Sequence, residues 1–126
     1  MEKVVNVLGK EIDLCSCEPM TGWKRDGYCN TDIEDHGIHT VCCIVNQPFL
    51  EFLRGQGNDL ITPAPQFGFS GLKPGDHWCV CAGSWYQAYK EGRACPVNLE
   101  ATHEETLAII PMKALKEFRH APISES

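Results

Sequence analysis

Thr40-Val41-Cys42-Cys43-Ile44-Val45 and Trp78-Cys79-Val80-Cys81-Ala82 are the stretches whose reading decides the fold. Both are short apolar runs bounded by turn-forming residues, which is how a buried strand reads. Between them Pro48 stands where a first helical turn tolerates it, Phe49, Leu50, Phe52 and Leu53 follow at helical spacing, and Gly55 and Gly57 end the helix. After the second run Ser84 is a fitting N-cap for a helix over Trp85 to Glu91, stopped by Gly92. Val4 to Leu8 reads as a strand, and Val97 to Ala101 alternates with period two as a half-exposed strand does. Thr102-His103-Glu104-Glu105 fits a capping box with Thr102 as cap. The pattern leaves residues 106–110 open between strand and helix. Pro111 then opens a helix from Met112 to about His120, with Leu115 and Phe118 as its apolar stripe.

Two long segments break this regularity. Lys10 to Asp35 and Gly57 to Gly75 are punctuated by Pro, Gly, Asn and Asp and hold no period. Loops of that length in a small domain are usually functional or pinned. Strands and short helices alternate without a nucleotide-binding glycine motif. The expected class is therefore α+β: a small mixed sheet with short helices and two long, motif-bearing loops. A length of 126 residues sets a single domain over 1–120, with 121–126 as a frayed tail.

Charge and composition exclude several functions. Seventeen acidic against eleven basic residues give a net charge of −6, and no basic cluster exceeds Lys24-Arg25. Neither nucleic acid nor an anionic membrane surface suits such a chain. No apolar run approaches the roughly 20 residues of a membrane span, and the N-terminus lacks the apolar core of a signal peptide. The expected setting is the reducing cytoplasm. There eight cysteines are free thiols or metal ligands rather than a disulfide framework.

Cys79 and Cys81, two apart on a strand, face one side with Cα atoms about 6.6 Å apart. A disulfide across that spacing is strained, whereas two thiolates about 2.3 Å from zinc converge readily. The bland alternative is that both are small buried hydrophobes. His39 at the edge of the Cys42 run is a candidate ligand or base. Asp35, Asp59, Asp76, His103 and Glu104 are further acid–base candidates, with Asp59 and Asp76 better suited to turn capping. Arg25, between Gly22 and Gly27, could bind an anion.

Several motifs then fall in one order: Asn6-Val7-Leu8-Gly9, Pro19-Met20-Thr21-Gly22, Arg25-Asp26-Gly27-Tyr28-Cys29-Asn30-Thr31 and Gly37-Ile38-His39-Thr40-Val41-Cys42. Gly57-Asn58-Asp59-Leu60, Gly71-Leu72-Lys73-Pro74-Gly75-Asp76, Trp78-Cys79-Val80-Cys81-Ala82 and Glu100-Ala101-Thr102-His103 follow. Together they resemble the family catalogued as domain of unknown function 2237, small and mostly bacterial proteins. The resemblance spans roughly Asn6 to Leu115. It implies a single domain in the cytosol and supplies no activity. It sorts the cysteines: Cys15, Cys29, Cys42, Cys79 and Cys81 stand on motif positions, as do His39 and His103, while Cys17, Cys43 and Cys95 are extras. His77 and Gly83 replace arginines that the family carries.

Three functional readings remain open. One is a transition-metal site, most simply zinc, centred on Cys42, Cys79 and Cys81 with Cys29 and Cys15 nearby. Another is an enzyme with a thiolate nucleophile, His39 or His103 as base and Arg25 or a loop amide as anion partner. The last is a plain interaction module whose buried cysteines are structural. A small-molecule or protein partner is left unspecified. The geometry expected is Cys79 and Cys81 on one side of a central strand, Cys42 on its neighbour, and the loops bearing Cys15, Cys29 and His39 closing over them.

Overall fold

Both decisive runs form strands. In the computed structural model, which describes residues 4–16, 21, 27–31, 35, 38–67 and 71–120, β1 spans Val41–Ile44 and β2 spans His77–Val80. They pair antiparallel, with Val41 opposite Val80, Cys42 opposite Cys79, Cys43 opposite Trp78 and Ile44 opposite His77. Side chains alternate across a strand, and the two faces separate accordingly. Val41, Cys43, Trp78 and Val80 join the main core, whereas Cys42 and Cys79 join a second cluster with Cys15, Cys29 and Ala101. The class is α+β. The mixed character of the sheet rests on single bridges: Val97 pairs antiparallel with Cys43 and parallel with Arg119.

Helix α1 spans Gln47–Gly55 and helix α2 spans Ala82–Lys90. Asn46 caps α1, its side chain accepting from the Phe49 N–H at 3.0 Å. Losing that bond in Asn46→Ala should cost about 1 kcal/mol in denaturant unfolding. Both helices end in the same motif. Gly57 (φ 90°) and Gly92 (φ 74°) adopt the left-handed conformation, and the Asn58 and Arg93 N–H groups reach back to the Leu53 and Ala88 carbonyls. Phe49, Leu50 and Leu53 of α1 and Ala82, Trp85 and Ala88 of α2 are buried in one core. Trp85 stacks on Tyr89, meets Phe118 edge-on and donates to the Cys95 carbonyl.

Several boundaries differ from the sequence reading, each because a tertiary bond wins over local propensity. Helix α2 starts at Ala82 rather than after a Ser84 cap, because the Ala82 N–H is taken by the Ile38 carbonyl at 3.0 Å. The segment expected as a strand over Val4 to Leu8 makes only the bridges Val5 to Glu11 and Asn6 to His103. The buried Asn6 side chain accepts from the Leu8 and Lys10 N–H groups and curls the chain into a turn. Val97 to Ala101 is a bridge followed by a single 3₁₀ turn, Leu99–Ala101. Residues 104–108, within and just before the open 106–110 stretch, form another 3₁₀ turn. Its cap is His103, whose ring accepts from the Glu105 N–H, and not Thr102. Thr102 instead accepts from the Cys42 N–H and donates to the Asn98 carbonyl. Helix α3 is short, Met112–Glu117. The chain leaves it to pair Phe118 and His120 with Val97. Asp59 and Asp76 cap turns as expected, accepting from Ile61, Thr62 and Lys73. The tail 121–126 lies outside the described residues, and no described helix is long and apolar enough to cross a membrane.

Candidate functional site

The second cluster is four cysteines packed with Ala101. Cys15 is disulfide-bonded to Cys42 with Cα atoms 5.8 Å apart, and Cys29 to Cys79 with Cα atoms 5.2 Å apart. Both separations lie in the normal range for a disulfide. This overturns the expectation of free thiols or metal ligands for four of the motif cysteines, while Cys81 is a free thiol. The reason is register. β1 and β2 set Cys42 and Cys79 opposite each other, and the long loop delivers one cysteine to each. The loop reaches them through Gly27, whose carbonyl accepts from the Cys15 and Ser16 N–H groups. Gly27 has φ 90°, which strains any other residue there, and an added Cβ would lie 3.0 Å from the Ser16 carbonyl and would push Leu14 aside. Thr21 hydroxyl accepts from the Cys79 N–H, closing that edge of β2. The Sγ atoms of Cys15, Cys29 and Cys79 lie within 4.8 Å of one another, close enough to hold a metal ion if reduced. Bound in disulfides they are not thiolate ligands.

Cys81, expected beside Cys79 on the strand, stands apart. β2 ends at Val80, and Cys81 (φ −61°, ψ 131°) is the residue from which α2 starts. Its partner is His39, whose Nε2 lies 3.2 Å from the Cys81 sulfur. The other ring nitrogen, Nδ1, is 2.6 Å from Oδ1 of Asp35. Oδ2 of Asp35 accepts from the His39 backbone N–H at 2.8 Å and from the Thr31 hydroxyl at 3.1 Å. The Asp35 carboxylate is buried, the His39 ring is 34% exposed, and Cys81 is partly exposed. Three residues from different segments therefore form one chain of contacts: carboxylate, imidazole, thiol.

The backbone that aims His39 is strained. Ile38 has φ 51°, the one non-glycine residue with positive φ among those described. A β-branched side chain in that conformation costs about 1–2 kcal/mol. The Ile38 carbonyl is held by the Thr40 and Ala82 N–H groups, so the strained turn is locked onto the start of α2, next to Cys81. Such strain persists only where surrounding structure over-determines it.

The electrostatics follow from the contacts. The hydrogen bond with Cys81, helped by Asp35 and opposed by burial, pushes His39 from 6.5 up to about 9. Burial alone would raise Asp35, but hydrogen bonds from the His39 backbone and ring and from Thr31 outweigh it and hold the carboxyl below its usual value. A folded value raised above the unfolded one stabilises the protein fully below pH 6.5, and that contribution fades as pH climbs through about 9. The rise corresponds to at most ~3.4 kcal/mol; solvent around a ring 34% exposed screens this to about 1–2 kcal/mol. Denaturation midpoints should therefore fall between pH 6.5 and 9, and His39→Gln should flatten that slope.

Of the sequence candidates, the structure brings Asp35, His39 and Cys81 together. His103 is occupied elsewhere: its Nδ1 accepts from Glu105, and burial pushes the ring below its usual value despite Glu105 and Glu104. Arg25 and Cys17 lie outside the described residues. Cys43 and Cys95 are buried free thiols, and burial together with Cys95 pushes Cys43 up. Thr31 was not anticipated, and no signal in its motif points to a role as carboxylate donor. In the first turn of α2 the N–H groups of Gly83 and Ser84 have no acceptor among the described residues. The same turn lines a cavity of about 270 Å³ with Phe52, Gln56, Asn58 and Gln87.

Compared with known families, residues 5–119 match the one described as an uncharacterized protein conserved in bacteria, DUF2237. No curated protein matches the chain.

Proposed function

We propose that this chain, which belongs to the DUF2237 family, works through Cys81 as a thiolate nucleophile, with His39 as its proton partner and Asp35 orienting His39. The observation that carries this reading is the continuous Asp35–His39–Cys81 contact chain, at 2.6 and 3.2 Å. Nucleophilic catalysis needs a nucleophile and base within hydrogen-bond reach and a third group that fixes the base. Asp35 on Nδ1 leaves Nε2 directed at the sulfur. Reactive cysteines sit at helix N-termini or beside cationic groups, and Cys81 has both settings.

The reaction class that suits this arrangement is acyl transfer. The Cys81 sulfur attacks a carbonyl carbon, forming a C–S bond, while His39 gives its proton to the leaving group as the old bond breaks. Water, losing a proton to His39, then attacks the thioester carbonyl, the acyl group leaves as the acid, and the sulfur is released as the thiolate beside protonated His39. The Gly83 and Ser84 N–H groups, without an acceptor among the described residues, supply donors of the kind that stabilise the developing oxyanion. An activated ester such as p-nitrophenyl acetate tests the proposal. Mass spectrometry should find the acetyl group on Cys81 ahead of Cys43 and Cys95. Equal labelling of all three, or none at Cys81, would sink it.

A second reading is favoured by the sulfur cluster. Reduced, the sulfurs of Cys15, Cys29 and Cys79, within 4.8 Å of one another, form the beginning of a thiolate site for a transition metal, zinc being the natural occupant. Metal content of the reduced protein after dialysis against zinc checks it. Cys81 does not enter this set, because its sulfur faces His39.

A further inference from the structure

Resting on that second reading, we infer that the cluster is an oxidation-sensitive zinc site whose fourth ligand is Cys42. Zinc among four cysteine thiolates is tetrahedral, with each sulfur about 2.3 Å from the metal and hence about 3.8 Å from the others. Cys29 and Cys79, about 2.05 Å apart in a disulfide, separate to that distance on reduction, and Cys15, within 4.8 Å of both, closes by at most about 1 Å. Cys42 is placed to complete it. It is bonded to one member of the trio, Cys15, and lies directly across the sheet from another, Cys79. All four side chains are buried with Ala101 in a cluster of their own. The sheet supplies two ligands in fixed register, and Cys15 and Cys29, ahead of β1 in the chain, supply the other two.

The same four sulfurs have two mutually exclusive uses. Reducing both disulfides takes two molecules of a dithiol. Each gives two electrons and two protons and closes into its own disulfide, as the Cys15–Cys42 and Cys29–Cys79 bonds break. Zinc then displaces four protons as four Zn–S bonds form. In reverse, two molecules of a small disulfide accept the electrons and leave as thiols after protonation by solvent. The two protein S–S bonds re-form and zinc departs as the hydrated ion. In either state the loop bearing Cys15 and Cys29 stays clamped to β1 and β2. Zinc occupancy then reports the thiol–disulfide poise around the protein.

The test uses the full chain and zinc alone. Protein reduced with dithiothreitol and freed of it under argon is titrated with zinc against a chromophoric chelator, and oxidised protein is titrated in parallel. The expected result is about one zinc per reduced chain and none per oxidised chain. Glutathione disulfide should then release the zinc and leave a protein lighter by four hydrogens than the reduced, metal-free chain. Cys42→Ser should weaken binding tenfold or more, with Cys95→Ser as the unaffected control. If Cys42→Ser does not fold, alkylation of the wild type decides: bound zinc should slow labelling of Cys42 tenfold or more. Failure of the reduced protein to take up zinc overturns the zinc reading and this inference together. Zinc taken up but retained through oxidation, or bound without protecting Cys42, overturns the inference and leaves the zinc reading standing.

Discussion

His39→Ala should slow alkylation of Cys81 by iodoacetamide, and slow it more at pH 7 than at pH 10. Alkylation consumes the thiolate form of a cysteine, and the His39 imidazolium stands 3.2 Å from the sulfur. His39 is raised to about 9, so it carries its charge at pH 7 and has lost it at pH 10. Removing that charge at this distance should cost about tenfold at pH 7 and little at pH 10. Asp35→Asn should give the same trend at smaller size, since it loosens the Nδ1 contact of 2.6 Å without removing the ring. A factor equal at the two pH values would mean that His39 merely shields the sulfur. Rates at Cys43 and Cys95, both buried, serve as the internal reference.

Much of the frame that carries this site can be read from the chain. β1 and α1 follow from an apolar run, a tolerated proline and a terminating glycine, because each signal is local. Helix α2 is legible as an element but not in its start. Ser84 is the better cap by residue type, yet the Ile38 carbonyl, distant in sequence, captures the Ala82 N–H. That displacement matters, because it takes Cys81 off the strand and puts it at the head of the helix. The pairing of Cys79 with Cys81 assumed strand periodicity one residue too far.

Asp35 and His39 show the same limit in another form. Their spacing of four suggests nothing in a segment without helical period, and only the turn at Ile38 folds the ring back onto the carboxylate. The disulfides are less legible still. Eight cysteines allow about 105 full pairings, and the expected compartment argued against all of them. Even so, the five cysteines on family motif positions are the two disulfides and Cys81, while the extras Cys43 and Cys95 are buried free thiols. The family motifs had isolated the sulfurs that have a partner outside the core, without showing which partner.

Reducing both disulfides in the presence of a chelator should cost at least a third of the folding stability. The Cys15–Cys42 bond closes a separation of 27 residues and Cys29–Cys79 one of 50. Chain-entropy arguments assign these loops about 3.6 and about 4.1 kcal/mol. The loops interleave, since Cys29 lies between Cys15 and Cys42, so closing one shortens the other and the joint effect is below the sum. About 5–6 kcal/mol is expected, against a total of about 5–15 kcal/mol for a domain. The loss should not be uniform. β1, α1 and α2 share a core to which the disulfides do not belong, whereas the segment through Cys29, Thr31 and Asp35 is held to β2 by Cys79. Reduction should expose the amides of residues 27–31 to hydrogen exchange before those of α1, and should uncouple His39 from Asp35 as Thr31 moves. Urea unfolding with and without dithiothreitol measures the size, and exchange mass spectrometry the order. Equal midpoints in the two conditions would mean that the loop is held by its packing and not by sulfur.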